Sequence, residues 1–327
     1  MRSINSARNH VYLYQTAHST VRDSYFYGGQ GAGSQSYGIE SFSTADNLAE
    51  NNIFQHTTGP ITVNGSDVGS VWSYNFAIDD NYTVSLSWMI PSNILHEAGI
   101  AMVLFEGNSG LSFEGDDIHG THHFATAFRN HFYGDMYNIP VKTSNTDVVH
   151  LWAFNRYFNI IGNVLGRTGY YITYETNLDS LPTNIFTLGD APAPNPYNPG
   201  TDAKVKTTLM RWGNYDTLNA ANRFLCSEVP AGLAQYANPC PGSQVLPASF
   251  YLSAKPSWWG TMPWPSTGPD VTGGDISGFG GHAYRNPARV CYDNSPKAGG
   301  ILTFNANNCY GNTAPTPPSP PTNLKVQ

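Results

Sequence analysis

The densest group of side chains able to carry acid-base chemistry lies in one stretch, EGDDIHGTHHFATAFRNHFYGD, which runs from residue 114 to residue 135. Only 12% of the chain is charged, so this concentration is unusual. A carboxyl and an imidazole held together can serve as general acid and general base near neutral pH. The stretch is therefore the first candidate for an active site. Its chemically active side chains are Asp116, Asp117, His119, His122, His123, Arg129, His131 and Asp135.

A recurring phrase shows which elements must position this stretch. An Asn or Ser, one further residue and then an apolar residue return along the first half of the chain at a base spacing of about 22 residues with insertions. Such a period indicates a solenoid, and the short β-branched and aromatic runs between Gly, Asn and Asp turns predict strands. We therefore expect three strands per repeat, stacked as a parallel β-helix about 4.8 Å apart. The recurring positions are Ser24, Asn52, Asn75, Asn108, Asn130 and Asn163.

The repeated Asn has a physical explanation. Asn tolerates the left-handed backbone conformation, and its amide can bond to the Asn one coil away. A ladder of Asn side chains at one corner is therefore expected, and it serves the scaffold rather than catalysis. Alignment on the Asn predicts two further columns, one with Leu48, Val71 and Leu104 and the other with Ile118, Leu151 and Val63.

The same alignment extends the polar cluster onto neighbouring coils, where residues in one column lie about 4.8 Å apart. The predicted vertical pairs are His150 with Asp117, Asn155 with His122, and Arg156 with His123. One outward face is expected to hold the candidate catalytic residues Asp116, Asp117, His122, His150 and Arg156. The candidate substrate-binding residues at its border are Glu97, His119, His123 and Trp152.

Residues 20 to 177 also carry a resemblance, through VRDSYFYGG, SQSYGIESF, ENNIFQH, FRNHF and FNIIGNVLG. The region resembles the right-handed parallel β-helix class typified by pectate lyases and is similar to uncharacterised secreted bacterial proteins of that class. The later PSWWGTMPWP, GPDVTGG and GGHAYRNPARVCY resemble the C-terminal segment of the same proteins. The resemblance implies an all-β, carbohydrate-active or glycan-binding protein. Because the class includes lyases, hydrolases, tailspikes and adhesins, the fold selects no reaction.

Two reactions on a sugar polymer compete for the outward face. In a polysaccharide lyase, a base such as His removes the proton α to a uronate carboxyl while Arg156 or Ca²⁺ neutralises the charge; the acidic calcium cluster of pectate lyases is not matched. In an inverting hydrolase, two carboxylates flank the sugar bond. Asp116, Asp117 and the His119-Gly120 pair resemble elements of the polygalacturonases, although the downstream Arg-x-Lys motif of that family is absent.

A metal site and a non-catalytic role are the other interpretations. HGTHH brings three imidazoles close in sequence, but adjacent His122 and His123 point to opposite faces of a strand. No metal or cofactor is therefore predicted, and Ca²⁺ is kept only as the alternative named for a lyase. The polar cluster can equally be a packed seam of a surface, adhesive or structural protein. Whether the chain is an enzyme stays open at this point.

Charge and hydropathy narrow the partners. The net charge of −7 disfavours nucleic acid, since phosphate binding depends on clustered cations. No apolar run reaches the roughly 20 residues of a membrane span, and MRSINSARNH has no apolar region typical of an export signal. We expect a polysaccharide or cell-surface glycan as partner, and N-terminal coils that precede this chain.

The amino-acid composition changes in the C-terminal half. We predict coils over residues 1–177, an irregular Pro-rich and Trp-rich segment over 178–313 that packs on the coils and caps them, and a Pro-rich tail or linker over 314–327. The four tryptophans expected to clamp this segment, with sugar stacking as the alternative, are Trp212, Trp258, Trp259 and Trp264.

All four cysteines lie in the last third of the chain. Their local spacing predicts two disulfides, Cys226 to Cys240 and Cys291 to Cys309, which staple the loop-rich segment. Disulfides form in oxidising compartments, so an extracellular or cell-surface location is expected.

Overall fold

The computed structural model describes residues 1–30, 36–136, 142–178, 183–191, 200–231 and 239–311. The predicted tail over 314–327 lies outside the described residues. Regular structure is mostly β, and almost all of it belongs to three stacked sheets, here named A, B and C, whose strands are numbered in chain order.

Sheet A contains β1 Arg2–Ser6, β4 Tyr25–Gly29, β7 Ile53–Gln55, β10 Phe76–Ile78, β13 Ser109–Gly110, β16 His131–Phe132, β19 Val164–Leu165, β23 Asn214–Asp216 and β24 Ala221–Arg223. Sheet B contains β2 Val11–Tyr14, β5 Ile39–Ala45, β8 Ile61–Val68, β11 Asn93–Glu97, β14 Phe113–His119, β17 Val149–Leu151, β20 Thr173–Thr176 and β21 Asn184–Leu188. Sheet C contains β3 Thr20–Arg22, β6 Leu48–Glu50, β9 Val71–Ser73, β12 Leu104–Glu106, β15 Thr126–Phe128, β18 Asn159–Ile161 and β22 Met210–Trp212.

The remaining elements are short. They are helix α1 Ala203–Thr208, helix α2 Pro287–Asn294, helix α3 Ala306–Tyr310 and the hairpin of β25 Lys297–Ala298 with β26 Ile301–Leu302. Single 3₁₀ turns cover Cys226–Glu228 and Ser257–Trp259.

Consecutive strands enter sheets A, B and C in turn, so each sheet collects about every third strand of the chain. Sheet A runs β1-β4-β7-β10-β13-β16-β19-β23, sheet C runs from β3 to β22 in the same way, and these neighbours pair in parallel. Sheet B ends in the order β17-β21-β20, because β20 pairs with the far edge of β21. The arrangement is solenoid-like, and its sheets continue beyond residue 177 to Asp216.

The strand registers test the predicted columns. Leu48, Val71 and Leu104 share one column of sheet C, as predicted. The prediction for sheet B was wrong in one member: Gly115, rather than Ile118, lies between Leu95 and Leu151. From Gly115 to His123 the chain advances eight residues, whereas between their partners Leu151 and Arg156 it advances five, and an alignment without gaps misses this difference.

The predicted Asn ladder is present at the corner between sheets C and A. The backbone N–H and the side-chain amide of each Asn donate to the side-chain oxygen of the Asn in the next coil, at 2.8 to 3.0 Å. Each amide also donates to a backbone carbonyl, as Asn108 does to Trp72 at 2.8 Å. The ladder extends one coil further than the sequence indicated, since Asn163 donates to Asn214 at 3.0 Å.

The left-handed backbone at this corner belongs to a different residue than expected. The residue before each ladder Asn has a positive φ of 51° to 68°, whereas the ladder Asn residues do not. Several residue types occupy these preceding positions, because the hydrogen bonds of the Asn amides stabilise the turn whichever side chain precedes them. The preceding residues are Asp23, Asn51, Tyr74, Gly107, Arg129, Gly162 and Gly213.

The interior between the sheets is an apolar stack. Phe26 and Phe54 lie one coil apart with ring centroids at 5.3 Å, and Phe113 contacts Phe105 and Phe132 further along. All five rings are fully buried. Burial of such side chains is the main favourable contribution to folding.

The segment after residue 239 packs along the side of the coils. It covers the outer face of sheet A: Tyr25, Ile53 and Phe76 pack against Ala288 and Leu302. Further along sheet A, another group of buried apolar side chains continues the contact. Its members are Met89, Leu111, Tyr133, Met136, Val164, Tyr215, Ile276, Phe279 and Ala283.

Polar contacts and aromatic rings attach this segment. Arg129 is buried and donates to Asp270 at 2.7 and 2.9 Å, and Asn286 donates to the carbonyls of Tyr74 and Gly107. Three of the four predicted tryptophans surround Tyr74, in agreement with a clamp. They are Trp258 at 5.8 Å, Trp259 at 4.8 Å and Trp264, whose Nε1 lies 3.4 Å from the Tyr74 hydroxyl.

Both predicted disulfides are confirmed. Cys226 bonds to Cys240, and Cys291 bonds to Cys309, joining α2 to α3. The two bonds are consistent with an extracellular location. Over the described ranges, no helix has the length and apolar character needed to cross a membrane.

The ladder predicts a large effect of one substitution. Asn108→Ala removes the acceptor for two donors of Asn75 and the donor to Trp72 and Asn130, all of which are buried. Unpaired buried groups each cost about 1 to 3 kcal/mol, so we expect the free energy of unfolding in urea to fall by about 3 kcal/mol or more. Asn308→Ala, at an exposed site of α3, is the control and is expected to change stability by less than about 0.5 kcal/mol. Equal small effects of both variants would contradict a structural role for the ladder.

Candidate functional site

A cavity of about 300 Å³ opens on the outer face of sheet B. Strands β8, β11 and β14 form its floor, and the loop over residues 79–92 forms one wall. Its lining combines two carboxyls, two imidazoles and several aromatic rings. The lining residues are Tyr37, Thr62, Tyr82, Trp88, Ile90, Ile94, His96, Glu114, Asp116, Ile118, His119 and Trp152.

Strand alternation puts two carboxyls of β14 on this floor. Residues two apart on a strand face the same side, about 6.6 Å apart at their Cα atoms, so Glu114 and Asp116 both line the cavity. Gly115 faces the interior, where a Cβ atom would meet Asn155 and His122 at 3.3 to 3.4 Å. The pair therefore comes from one short strand held by its neighbours on both sides.

Glu114 is the more strongly perturbed carboxyl. Its residue is 4% exposed, and burial raises its pKa to about 8, although the charge of His150 opposes this shift. The nearest amide donor is Nδ2 of Asn145, at 3.5 Å. Glu114 is therefore protonated at neutral pH and can donate a proton to a group bound in the cavity.

Asp116 is held by hydrogen bonds. Its carboxyl bonds to Nδ1 of His96 and accepts from the backbone N–H of Ile118 at 3.0 Å. Burial raises the pKa of Asp116, while the bond to His96 opposes the shift. The pKa of His96 is raised in turn: burial lowers it, but the bond to Asp116 and the surrounding carboxylates outweigh that effect. The two groups form an ion pair with a fixed orientation.

Beside Glu114, at the paired position of β17, the His150 imidazole is enclosed by acids. Its Nε2 lies 2.7 Å from Asp190, and its Nδ1 lies 3.8 Å from Glu114 and 4.0 Å from Asp147. Burial opposes its charge, yet the bond to Asp190 and the nearby carboxylates raise the pKa of His150 to about 10. His150 is thus a buried cation that balances the charge of Asp190, and it contacts Glu114 from the neighbouring strand β17.

Aromatic rings form the walls. Tyr82 and Trp88 come from the loop over residues 79–92 and lie 5.1 Å apart, and Trp88 pairs with Ser144 of the next long loop. Trp152 follows β17 and lies 5.6 Å from His150. Such faces stack on sugar rings or other flat apolar surfaces.

The structure brings together only part of the predicted site. Asp116, His119 and Trp152 line the cavity, and Glu97 pairs with His119 at its border. Asp117, the next residue after Asp116 on β14, is buried and is absent from the cavity lining.

The other predicted residues lie elsewhere. His122 is buried in the interior, while His123 and Arg156 pair with each other in the turn towards sheet C, where Arg156 donates to Asp202 at 2.6 Å. Asn155 does lie over His122, as predicted, and its side chain accepts from the His122 N–H. His150 lies over Glu114, which corrects its predicted pairing with Asp117. The catalytic and binding roles assigned from the sequence stay predictions.

Sequence reasoning missed nine of the twelve lining residues, among them the aromatic and ionisable side chains Tyr37, Tyr82, Trp88, His96 and Glu114. The Glu-x-Asp spacing of Glu114 and Asp116 was a usable signal, because it places both carboxyls on one side of a strand. The loop aromatics had no such signal, since loop geometry depends on contacts distant in sequence.

The three imidazoles of HGTHH do not converge on one point. His119 is exposed and packs edge-to-face on His96 at 4.8 Å, while His122 points inward. Over the residues that the structure describes, no group of three or more His, Cys, Asp or Glu side chains is placed to hold a metal ion.

The burial of His122 gives a pH test of its role. Burial lowers its pKa to about 3, so its neutral form stabilises the fold, fully above about pH 6.5 and progressively less as the pH falls towards 3. The free energy of unfolding gained from this group therefore rises with pH by at most about 1.4 kcal/mol per unit in that window. His122→Gln is expected to reduce the slope of stability against pH by this amount. An unchanged slope would show that the His122 imidazole is exposed to solvent and would favour a catalytic role for it.

Comparison of the chain with protein-family models, with curated proteins and with solved structures finds no significant match. The site therefore has to be interpreted from its own geometry and chemistry.

Proposed function

We propose that the protein is a right-handed parallel β-helix that binds an extracellular polysaccharide along sheet B and hydrolyses it in the cavity. The observation that carries the proposal is the pair Glu114 and Asp116, two carboxyls with unlike hydrogen-bonding environments on one face of β14. Glycoside hydrolysis requires such a pair, one carboxyl protonated and the other ionised.

Glu114 is the general acid in this mechanism. Its raised pKa keeps the proton on the carboxyl at neutral pH, ready for transfer to the glycosidic oxygen as the sugar bond breaks. The charge of His150 lowers the pKa of Glu114 and so opposes this state, but Asp190 takes the closer contact with the imidazolium, at 2.7 Å against 3.8 Å for Glu114.

Asp116 supplies the second carboxyl. In its ionised form it either activates water or attacks the sugar carbon, and it stabilises positive charge at that carbon in the transition state. His96 is a positioning residue: its bond to Asp116 fixes the carboxylate and favours its ionised form.

The charge of the lining favours a neutral glycan. The cavity contains Glu114 and Asp116, and none of the described residues that line it is Arg or Lys. A uronate polymer would bring its own carboxylates against these acids, and a lyase needs a cation to neutralise them. Arg156, the predicted cation, is bonded to Asp202 in another turn. These contacts support hydrolysis over lyase chemistry.

Non-catalytic glycan binding is the second candidate. Asp116 and Glu114 are only 2% and 4% exposed, a degree of burial that also suits a structural polar group. The aromatic walls would serve an adhesive protein equally well. Turnover separates the two candidates.

The first test is the loss of the carboxyl pair. Glu114→Gln and Asp116→Asn keep size and remove acid or charge, so we expect each to reduce the release of reducing ends from neutral polysaccharides by about 10²- to 10⁴-fold. Asp46→Asn is the control, since Asp46 is exposed in a turn with positive φ that Asn also adopts. Activity that survives in both site variants would refute the proposed mechanism. Binding without turnover in the wild type would favour the adhesive role.

The pH profile provides an independent test. A general acid must be protonated, so kcat/KM should fall as the pH rises through about 8, while protonation of Asp116 reduces it on the acidic side. The measurement is the hydrolysis rate of one soluble polysaccharide at low substrate concentration across this range. A profile that rises through pH 8 would assign the opposite role to Glu114.

A further inference from the structure

A second aromatic group lies on the outer face of sheet B, outside the cavity. Tyr12 and Tyr14 of β2 are 44% and 50% exposed, and their rings lie 5.4 Å apart. Phe42 of β5 supports Tyr14 in a stacked arrangement at 5.8 Å. Single exposed aromatics are common, but three in contact form a continuous apolar platform.

The strand registers connect this platform to the carboxyl pair. Tyr12 lies in one column with Glu40, Thr62, Ile94 and Glu114. Four strand spacings separate β2 from β14, which corresponds to roughly 19 Å along the sheet. A ligand that contacts both places must be a chain that crosses the strands.

One exposed polar group suited to sugar hydroxyls, Arg8, lies between the two places and is held by the buried Glu40. Glu40 accepts from Asn64 at 2.7 Å, from Asn9 at 2.5 Å and from Arg8 at 3.4 Å. The Arg8 side chain is 52% exposed. Aromatic faces next to such polar groups match a sugar ring, which has an apolar C–H face and a hydroxyl edge.

We propose that Tyr12 and Tyr14, supported by Phe42, form a remote subsite for a neutral glycan chain that runs across the strands of sheet B towards the cavity. The subsite rests on the proposed function, since it binds a distant sugar of the same chain. It makes polymer length part of the specificity: a long chain fills both places, whereas a short oligosaccharide fills only the cavity.

The test compares long and short substrates. In the Tyr12→Ala/Tyr14→Ala double variant, KM for soluble neutral glucans, xylans, mannans or galactans is expected to rise about tenfold, with kcat nearly unchanged. Disaccharides and trisaccharides of the same sugar should be hydrolysed at the wild-type kcat/KM. Tyr12→Phe/Tyr14→Phe keeps the rings and should restore most of the affinity. Val245→Ala, at an exposed apolar residue of the C-terminal segment, is the control for exposure.

Binding to the same polysaccharides in affinity gels, without turnover, separates this proposal from the hydrolase proposal. If the wild type binds a polymer without cleaving it, hydrolysis is refuted, while weaker binding of the Ala variant still supports the subsite. If the wild type cleaves a polymer and the Ala variant behaves identically, or loses short and long substrates equally, the subsite is refuted and hydrolysis stands. If the wild type neither binds nor cleaves any of the polymers, both proposals are refuted.

Discussion

The hydrogen-bonded column of Asn side chains is the constraint on which the structure depends. Each buried amide needs the side-chain oxygen of the next coil and a backbone carbonyl, as Asn108 does with Asn130 and Trp72. A coil that moved in height or register would leave donors unpaired in the interior, at a cost of about 1 to 3 kcal/mol each. The corner between sheets C and A is therefore fixed, and the strands that leave it start in register.

Because the strand registers are fixed, the alternation of side chains along β14 decides which of them line the cavity. Because β14 is paired on both sides over residues 113–115, Glu114 faces outward and Gly115 faces inward, and Asp116, at the register shift that follows, also lines the cavity. Burial then differentiates the two carboxyls. Glu114 keeps its proton because burial raises its pKa and Asp190 makes the closest contact with the imidazolium of His150, whereas Asp116 is bonded to His96.

The C-terminal segment determines which faces stay open. It covers the outer side of sheet A with apolar side chains and attaches to the corner through Arg129 and Asn286. The disulfide between Cys291 and Cys309 joins the two helices that make part of this contact. Sheet B keeps its cavity and its exposed tyrosines on its outer face.

The sequence by itself determined the stacked parallel strands, the Asn ladder and both disulfides, because each depends on a local pattern: a period of about 22 residues or a short spacing between cysteines. It also located Asp116, His119 and Trp152 near one face. It paired His150 with Asp117 instead of Glu114, because an ungapped alignment does not count the extra residues of β14. It gave no sign that Asp117 and His122 are buried away from the cavity lining. Only the tertiary structure decided that Glu114 faces a cavity and keeps its proton, since the direction of a side chain and its pKa depend on neighbours from other coils, including His150 and Asn145.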